Sequence, residues 1–184
     1  MGKVKEAPAT ALIAGITFSE EVWLHQGLDV LREEFGALEM ESPVFDFSMT
    51  DYYTKEMGKN LRKQFFCFKH PLELEMLPEI KLRTNEIELR FAQGESGNAA
   101  RRVNIDPGYV TLSKLVLATT KDYSHRIYIG KGIYAETTLR FLGGTFTPLD
   151  ITYPDYQTPL AITFFNEVRE FVKKNRYIWT PGKE

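Results

Sequence analysis

The chain has 184 residues, 43% of them hydrophobic and 26% charged, with a formal net charge of −2 at pH 7. This composition is ordinary for a soluble globular protein, and the length predicts a single domain over residues 1–184. The single cysteine, Cys67, excludes an internal disulfide and fits a reducing compartment. The N-terminal apolar run is too short and too interrupted for a signal peptide or a membrane span, so we expect a cytoplasmic protein that does not associate with membranes.

The N-terminal third predicts a strand, a helix and a second strand. Ala11 to Phe18 is a short apolar run with β-branched residues, which is typical of a buried strand. We expect Ser19 to cap the next helix and Gly36 to end it. Leu38 to Phe47 predicts the second strand. The buried stripe of the helix is expected at Leu24, Leu28, Leu31 and Phe35.

The middle of the chain completes the predicted order of elements, βαββαβ. Lys63 to His70, rich in aromatic residues, predicts a third strand, and a second helix begins near Leu77. Arg102 to Ile105 predicts a fourth strand, which the turn signal Asp106-Pro107-Gly108 is expected to end. The resulting order βαββαβ predicts an α+β fold with an antiparallel, ferredoxin-like sheet and both helices on one face.

The C-terminal part extends this core. We expect Thr111 to Thr120 to form a short helix after the Pro-Gly turn. Arg126 to Ile129 and Ile133 to Phe141 predict strands, and alternate residues of the second should share one face, beginning with Ile133. A β-hairpin and a final helix follow, as indicated by Gly143-Gly144, Thr158 and Pro159.

Charge is distributed unevenly along the chain. Residues 18–47 contain eight acids and one base, a balance of −7, whereas residues 101–140 contain seven bases and three acids, a balance of +4. A basic segment that also holds aromatic residues favours a small anionic ligand over long nucleic acid. The alternative is that the two segments neutralise each other across the fold.

The segment from Arg101 to Thr138 contains the candidate site. Its polar groups alternate with strong strand formers, and burying so many of them is costly without partners or a ligand. No P-loop, GxGxxG, GxSxG or HExxH motif is present. The sequence therefore identifies no reaction and leaves open whether the protein is an enzyme. The predicted ligand-binding residues are Arg101, Arg102, Asn104, Tyr109, Lys114, Lys121, Arg126 and Glu136.

Two residues of this segment are candidate catalytic groups, and each has a structural alternative. His125 stands between Asp122 and Arg126 and suits acid or base chemistry, or else it caps a turn by bonding to the backbone. Asp106 either organises a turn or binds a divalent cation. Its candidate partners in a cation site are Asp46, Asp51 and Glu136, and the Mg²⁺ site that we predict consists of Asp51 and Asp106.

The second helix carries a polar flank. Lys81, Asn85 and Glu88 recur at helical spacing beside the apolar stripe. They form either a solvated, ion-paired face or, if the flank borders Asn104, one wall of a pocket.

Four stretches carry a family resemblance: Asp46 to Tyr53, Ile80 to Glu88, Arg101 to Leu139 and Thr152 to Tyr156. They resemble an uncharacterised bacterial family catalogued as a domain of unknown function, some of whose members bear the provisional label GTP-binding protein. The resemblance implies a nucleotide ligand. The absent P-loop excludes Ras-like GTPase chemistry, so nucleotide binding would take another route.

Two function hypotheses follow. The first is binding, with or without turnover, of a small phosphate-bearing ligand such as a nucleotide in a basic, aromatic-lined cleft, with Mg²⁺ as cofactor. The alternative is a non-enzymatic adaptor, homodimeric, whose polar segment forms a protein interface. A concave pocket walled by the predicted residues favours the first, and a flat, internally salt-bridged surface favours the second.

Overall fold

The computed structural model of the protein describes residues 2–3, 6–49, 54–92 and 101–179. These residues form nine strands: β1 (Ala11–Phe18), β2 (Leu38–Glu41), β3 (Phe45–Asp46), β4 (Arg62–Phe68), β5 (Val103–Val110), β6 (Lys114–Thr119), β7 (Ile127–Gly130), β8 (Ile133–Leu142) and β9 (Thr145–Pro148). The helices are α1 (Glu21–Phe35), the short α2 (Thr54–Met57), α3 (Leu77–Arg90) and α4 (Pro159–Trp179). No helix in the described ranges is both long and apolar enough to cross a membrane.

All nine strands belong to one sheet. Its order is β2-β4-β1-β5-β6-β8-β7, with β3 beside β4 and β9 beside β8. Every strand pair is antiparallel. The predicted α+β class with an antiparallel sheet is therefore confirmed. The ferredoxin-like order is not confirmed, because the sheet has nine strands.

One face of the sheet is covered by α1 and α3. Their apolar stripes share a core with Ile16, Phe66 and Ile105 from the central strands. Gly36 ends α1 with a φ of 89°, as expected for a glycine at this position. Ser19 does not cap α1, because the helix begins one residue later, after Glu20, and the cap position makes no side-chain hydrogen bond.

The opposite face is covered by α4. This helix buries Phe164, Phe165 and Val168 against Phe65 and other residues of the sheet. Its start matches the prediction, since the Ala161 amide donates to the Thr158 hydroxyl at 3.2 Å. The hairpin between β8 and β9 also turns at the predicted Gly143-Gly144 pair, both with positive φ.

Two predictions for the central strands are wrong. Asp106-Pro107-Gly108 is not a turn but lies inside β5, where Gly15 of β1 faces Asp106. The segment predicted as a helix is strand β6, because its apolar run is buried on both faces of the sheet. Gly108 allows β5 and β6 to approach closely, since a Cβ there would lie 2.2 Å from the carbonyl oxygen of Val116.

A bulge changes which side of the sheet β8 faces. Leu115 of β6 pairs with Leu139, but the next residue, Val116, pairs with Thr137. Ile133 therefore joins the core under α1 and α3, whereas Leu139 joins the core under α4, so the predicted common face is wrong. The predicted strand from Leu38 to Phe47 is likewise interrupted and forms β2 and β3.

Candidate functional site

A cleft opens where β5 and β6 separate. The two strands pair only between Gly108–Val110 and Leu115–Leu117. Beyond this stretch, on the edge of β5 that faces away from β1, α3 supplies the partners of Ile105. The Ile105 amide donates to Glu88 Oε1 at 2.8 Å, and Lys81 Nζ donates to the Ile105 carbonyl at 2.9 Å. The space left between the strands is a cavity of about 570 Å³.

The cleft is lined mainly by polar and aromatic groups. Its residues come from β4, β5, β6, β8 and α3, and from the connecting segments around Phe47, Lys121 and Tyr153. Four lining residues are basic and four are acidic, so the described walls are formally neutral and not basic as the sequence predicts. The lining residues are Phe47, Met49, Lys63, Lys81, Asn85, Glu88, Arg101, Asn104, Asp106, Leu117, Ala118, Thr119, Thr120, Lys121, Tyr123, Glu136, Tyr153, Pro154, Asp155 and Tyr156.

Lys63 of β4 forms the most buried ion-pair cluster of the cleft. Its side chain is 2% exposed, and its ammonium lies 2.7 Å from Asp155 Oδ2 and 3.0 Å from Asp106 Oδ2. The aliphatic stem crosses Gly15 of β1, where a Cβ would lie 2.9 Å from Lys63 Cε and 2.8 Å from Tyr156 Oη. Gly15 therefore provides the space that this cluster fills.

Within this cluster the pKa values of Lys63 and Asp106 are both shifted toward the charged form. Burial alone would lower the pKa of Lys63, but Asp155, Tyr156 and Asp106 outweigh it and hold that pKa well above its usual value. Burial alone would likewise raise the pKa of Asp106, but the Lys63 ammonium holds it below the usual range. Lys63 is thus a charged structural partner and not a neutral amine nucleophile.

The wall formed by α3 has unused hydrogen-bonding capacity. Lys81 has a side chain only 8% exposed, and its ammonium lies 3.9 Å from Glu88 Oε1, which is too long for a hydrogen bond. Its one hydrogen bond within the described chain goes to the Ile105 carbonyl, although an ammonium has three donors. The neighbouring Asn85 carboxamide lines the cleft and bonds to none of the described residues.

The wall formed by β8 centres on Glu136. Arg126 Nε donates to Glu136 Oε2 at 2.8 Å, and His125 Nε2 lies 2.9 Å from the same oxygen. The Arg126 guanidinium also donates to the Lys121 carbonyl and to the Tyr153 hydroxyl. Arg126, with a side chain 1% exposed, therefore fixes the loop that carries Lys121 against the β8 wall.

The ten predicted site residues that the structure describes separate into three groups. Five line the cleft: Arg101, Asn104, Asp106, Lys121 and Glu136. His125 and Arg126 contact Glu136 but are not lining residues. The other three lie elsewhere. Arg102 stacks on the Trp23 ring, Tyr109 packs in the core under α1 and α3, and Lys114 is exposed at the far end of β6, opposite Arg140.

The predicted Mg²⁺ site stays a prediction, because the structure describes only one of its two ligands. Asp51 lies outside the described residues, and Asp106 accepts hydrogen bonds from Lys63 and from the Asn104 amide. Within the described ranges, no group of three or more His, Cys, Asp or Glu residues is arranged to hold a metal ion.

Sequence reasoning missed part of the cleft. Lys63, Asp155 and Tyr153 were not among the predicted residues, yet each lines it. One signal was present, because Lys63 stands at the start of an aromatic strand in which a charged side chain needs a buried partner. The flank of Lys81, Asn85 and Glu88 does form a wall, which is the second of the two alternatives.

The fold and the cleft together define an α+β protein whose central sheet separates around a polar cavity. The family model described as a domain of unknown function (DUF4416) matches residues 8–171, so the chain belongs to that family. All lining residues fall within the matched range. No curated protein and no solved structure matches the chain at a significant level.

Proposed function

We propose that the protein binds a small phosphate-bearing ligand, such as a nucleotide, in the cleft between β5 and β6. The observation that carries this proposal is the Lys81 ammonium, which is buried, lines the cleft and makes one hydrogen bond within the described chain. Two of its three donors remain for a ligand. Charged donors left without acceptors are costly, and a phosphate oxygen is a strong acceptor for them.

The surroundings of Lys81 also favour an anion. The carboxylate of Glu88 lies between Lys81 and Arg101, so two buried or half-buried cations share one buried carboxylate. Glu56, which also binds Arg101, is half exposed and therefore screened by water. The Asn85 amide adds neutral donors at the same wall, and the Tyr123 ring at the β6 side offers an aromatic surface for a nucleobase.

Titration calorimetry of a nucleoside monophosphate beside its unphosphorylated nucleoside tests the proposal. The monophosphate should bind at least about 10-fold more tightly, because the contacts to Lys81 are charge-assisted. Lys81→Met should remove most of this difference and leave the nucleoside unaffected. Asn85→Ala, which breaks no hydrogen bond within the described chain, should lower the affinity for the monophosphate by about 3- to 10-fold.

Lys114→Met is the matched control, since Lys114 is an exposed lysine at the other end of β6. Equal affinity for the nucleoside and its monophosphate would contradict the proposal. So would a Lys81→Met protein that folds and binds the monophosphate as well as the wild type.

A protein-interface role is the second candidate. The edge strand β7 exposes Ile127 by 72% and Tyr128 by 59%, and an unpaired strand edge with apolar side chains can pair with another chain. The occupant we propose is a second copy of this chain. Sedimentation velocity on the wild type and on Ile127→Lys tests this dimer. The wild type should sediment as a dimer, and the Ile127→Lys variant should sediment as a monomer.

A further inference from the structure

A second unused hydrogen-bonding group of the cleft lies on the β8 wall. Glu136 is 5% exposed, and its two partners, His125 and Arg126, both bind the same oxygen, Oε2. Glu136 lines the cleft, and its other oxygen, Oε1, accepts no hydrogen bond from any described residue. Oε1 is not among the buried side-chain atoms that lack a partner, so it is open to the cleft. A ligand in the cleft can therefore supply the donor that the described residues do not.

The Tyr153 hydroxyl provides a donor beside this acceptor. Arg126 holds both groups, because its Nε donates to Glu136 and its Nη2 donates to the Tyr153 oxygen. The Tyr153 oxygen thus accepts from Arg126, and its own O–H donates to no acceptor in the described chain. Burial and the Glu136 carboxylate raise the pKa of Tyr153, so the phenol keeps its proton. One guanidinium therefore binds both the carboxylate that carries the free acceptor and the phenol that carries the free donor.

The charge at this wall selects the kind of group that fits. The Glu136 carboxylate is offset by the Arg126 guanidinium, whose side chain is 1% exposed. A further cation would meet little net attraction there, whereas a neutral group has no charge to desolvate. A hydroxyl is neutral and both donates and accepts, so a single hydroxyl satisfies Glu136 Oε1 and Tyr153 together.

We propose that the ligand of the cleft is a phosphorylated polyol, such as a sugar phosphate or the ribose phosphate of a nucleotide, whose hydroxyl binds between Glu136 and Tyr153. This inference rests on the proposed function for the phosphate end, at Lys81 and Asn85. It adds the requirement that one end of the ligand contacts the α3 wall and the other end contacts the β8 wall of the same cavity, which at about 570 Å³ accommodates a molecule of that size.

The test is a titration with five small probes, namely inorganic phosphate, ethyl phosphate, glycerol 3-phosphate, ribose 5-phosphate and ribose. Glycerol 3-phosphate and ribose 5-phosphate should bind about 10-fold more tightly than ethyl phosphate, which has the same charged group without a hydroxyl. Glu136→Gln should reduce that advantage to about 2-fold or less, because an amide N–H₂ replaces the free acceptor. Its affinity for ethyl phosphate should not change.

Tyr153→Phe is a second variant that leaves the carboxylate and its Arg126 partner in place. It should lower affinity for the polyol phosphates by about 3- to 10-fold and leave ethyl phosphate unchanged. Tyr128→Phe on β7 is the control, because Tyr128 is exposed and does not line the cleft. This pair keeps the inference testable if Glu136→Gln fails to fold.

The outcomes separate the two proposals. Equal affinity of the wild type for ethyl phosphate and glycerol 3-phosphate would overturn the hydroxyl contact and leave phosphate binding intact. A different outcome is that ribose binds, none of the four phosphate compounds binds, and Glu136→Gln abolishes the binding of ribose. That result would overturn the proposed function and support the hydroxyl contact. Absence of binding by all five probes would overturn both.

Discussion

The cleft has two buried lysines, and their surroundings differ. Lys63, on β4, is held by two carboxylates within 3.0 Å, and aromatic rings surround it. Lys81, on α3, has one backbone carbonyl and a carboxylate at 3.9 Å. Both are more than nine-tenths buried, so burial alone does not distinguish them. The two lysines differ in how many of their ammonium donors the protein already uses. This difference indicates that Lys63 stabilises the fold, whereas Lys81 is available to a ligand.

The strongest way to test this comparison is to remove the ammonium of Lys63. Lys63→Met should lower the free energy of unfolding by about 3–5 kcal/mol, because Asp106 and Asp155 lose the cation that neutralises them. Urea denaturation measures it. Lys173→Met, at a lysine 53% exposed, is the control and should change stability by less than about 0.5 kcal/mol. A small loss in Lys63→Met would show that the two lysines are energetically alike.

Arg126 should behave like Lys63 and not like Lys81. Arg126→Ala should cost about 3 kcal/mol of stability, because it leaves the buried Glu136 with His125 as its one remaining partner in the described chain. Any loss of ligand affinity should follow that destabilisation. Chemical denaturation and titration calorimetry of the same variant decide the matter. Weakened binding at unchanged stability would instead make Arg126 a ligand contact.

Gly15 tests whether the Lys63 cluster is tightly packed. Gly15→Ala should cost about 1–3 kcal/mol, because the added Cβ would overlap Lys63 Cε and Tyr156 Oη. Gly27→Ala in α1 is the matched control. Its Cβ would meet nothing nearer than Val103 Cγ1 at 4.0 Å, so it should stabilise by about 0.5–1 kcal/mol. Similar melting temperatures for the two variants would contradict a packed cluster.

The smallest expected effect is on the pH dependence of stability. The folded-state pKa of Asp106 is lowered, so its contribution is present above the unfolded pKa of about 4 and is lost as pH falls through the folded value. Glu88 has the opposite effect on the pH dependence of stability, because burial raises its folded-state pKa. Comparing wild type with Asp106→Asn isolates the first effect. Denaturation between about pH 2 and pH 6 should show a shallower acid loss in the variant.

The outer elements of the fold were the predictable ones. Leu24, Leu28 and Leu31 recur at helical spacing, and the Gly143-Gly144 pair identifies a hairpin without other information. The central strands were not predictable in the same way. The turn propensity of Asp106-Pro107-Gly108 is local, whereas pairing with Ile13–Gly15 of β1, far earlier in the chain, holds the segment extended.

The cleft was predictable on one side only. The polar segment that begins at Arg101 carries its own signal, because polar groups alternate there with strand formers. Lys63 carries little signal, since its partner Asp155 is 92 residues away and either residue alone looks like a surface charge. Long-range ion pairs of this kind depend on strand order and register, which no local pattern in one sequence specifies.

The contact between Ile105 and α3 links the sheet backbone to the chemistry of the cleft. In a continuous sheet the Ile105 amide would bond to a neighbouring strand, but here it donates to the Glu88 side chain. The rate at which this amide exchanges with heavy water therefore measures how long α3 stays docked on β5. A ligand that bridges the walls should slow the exchange, so one backbone proton reports occupancy without any label near the site.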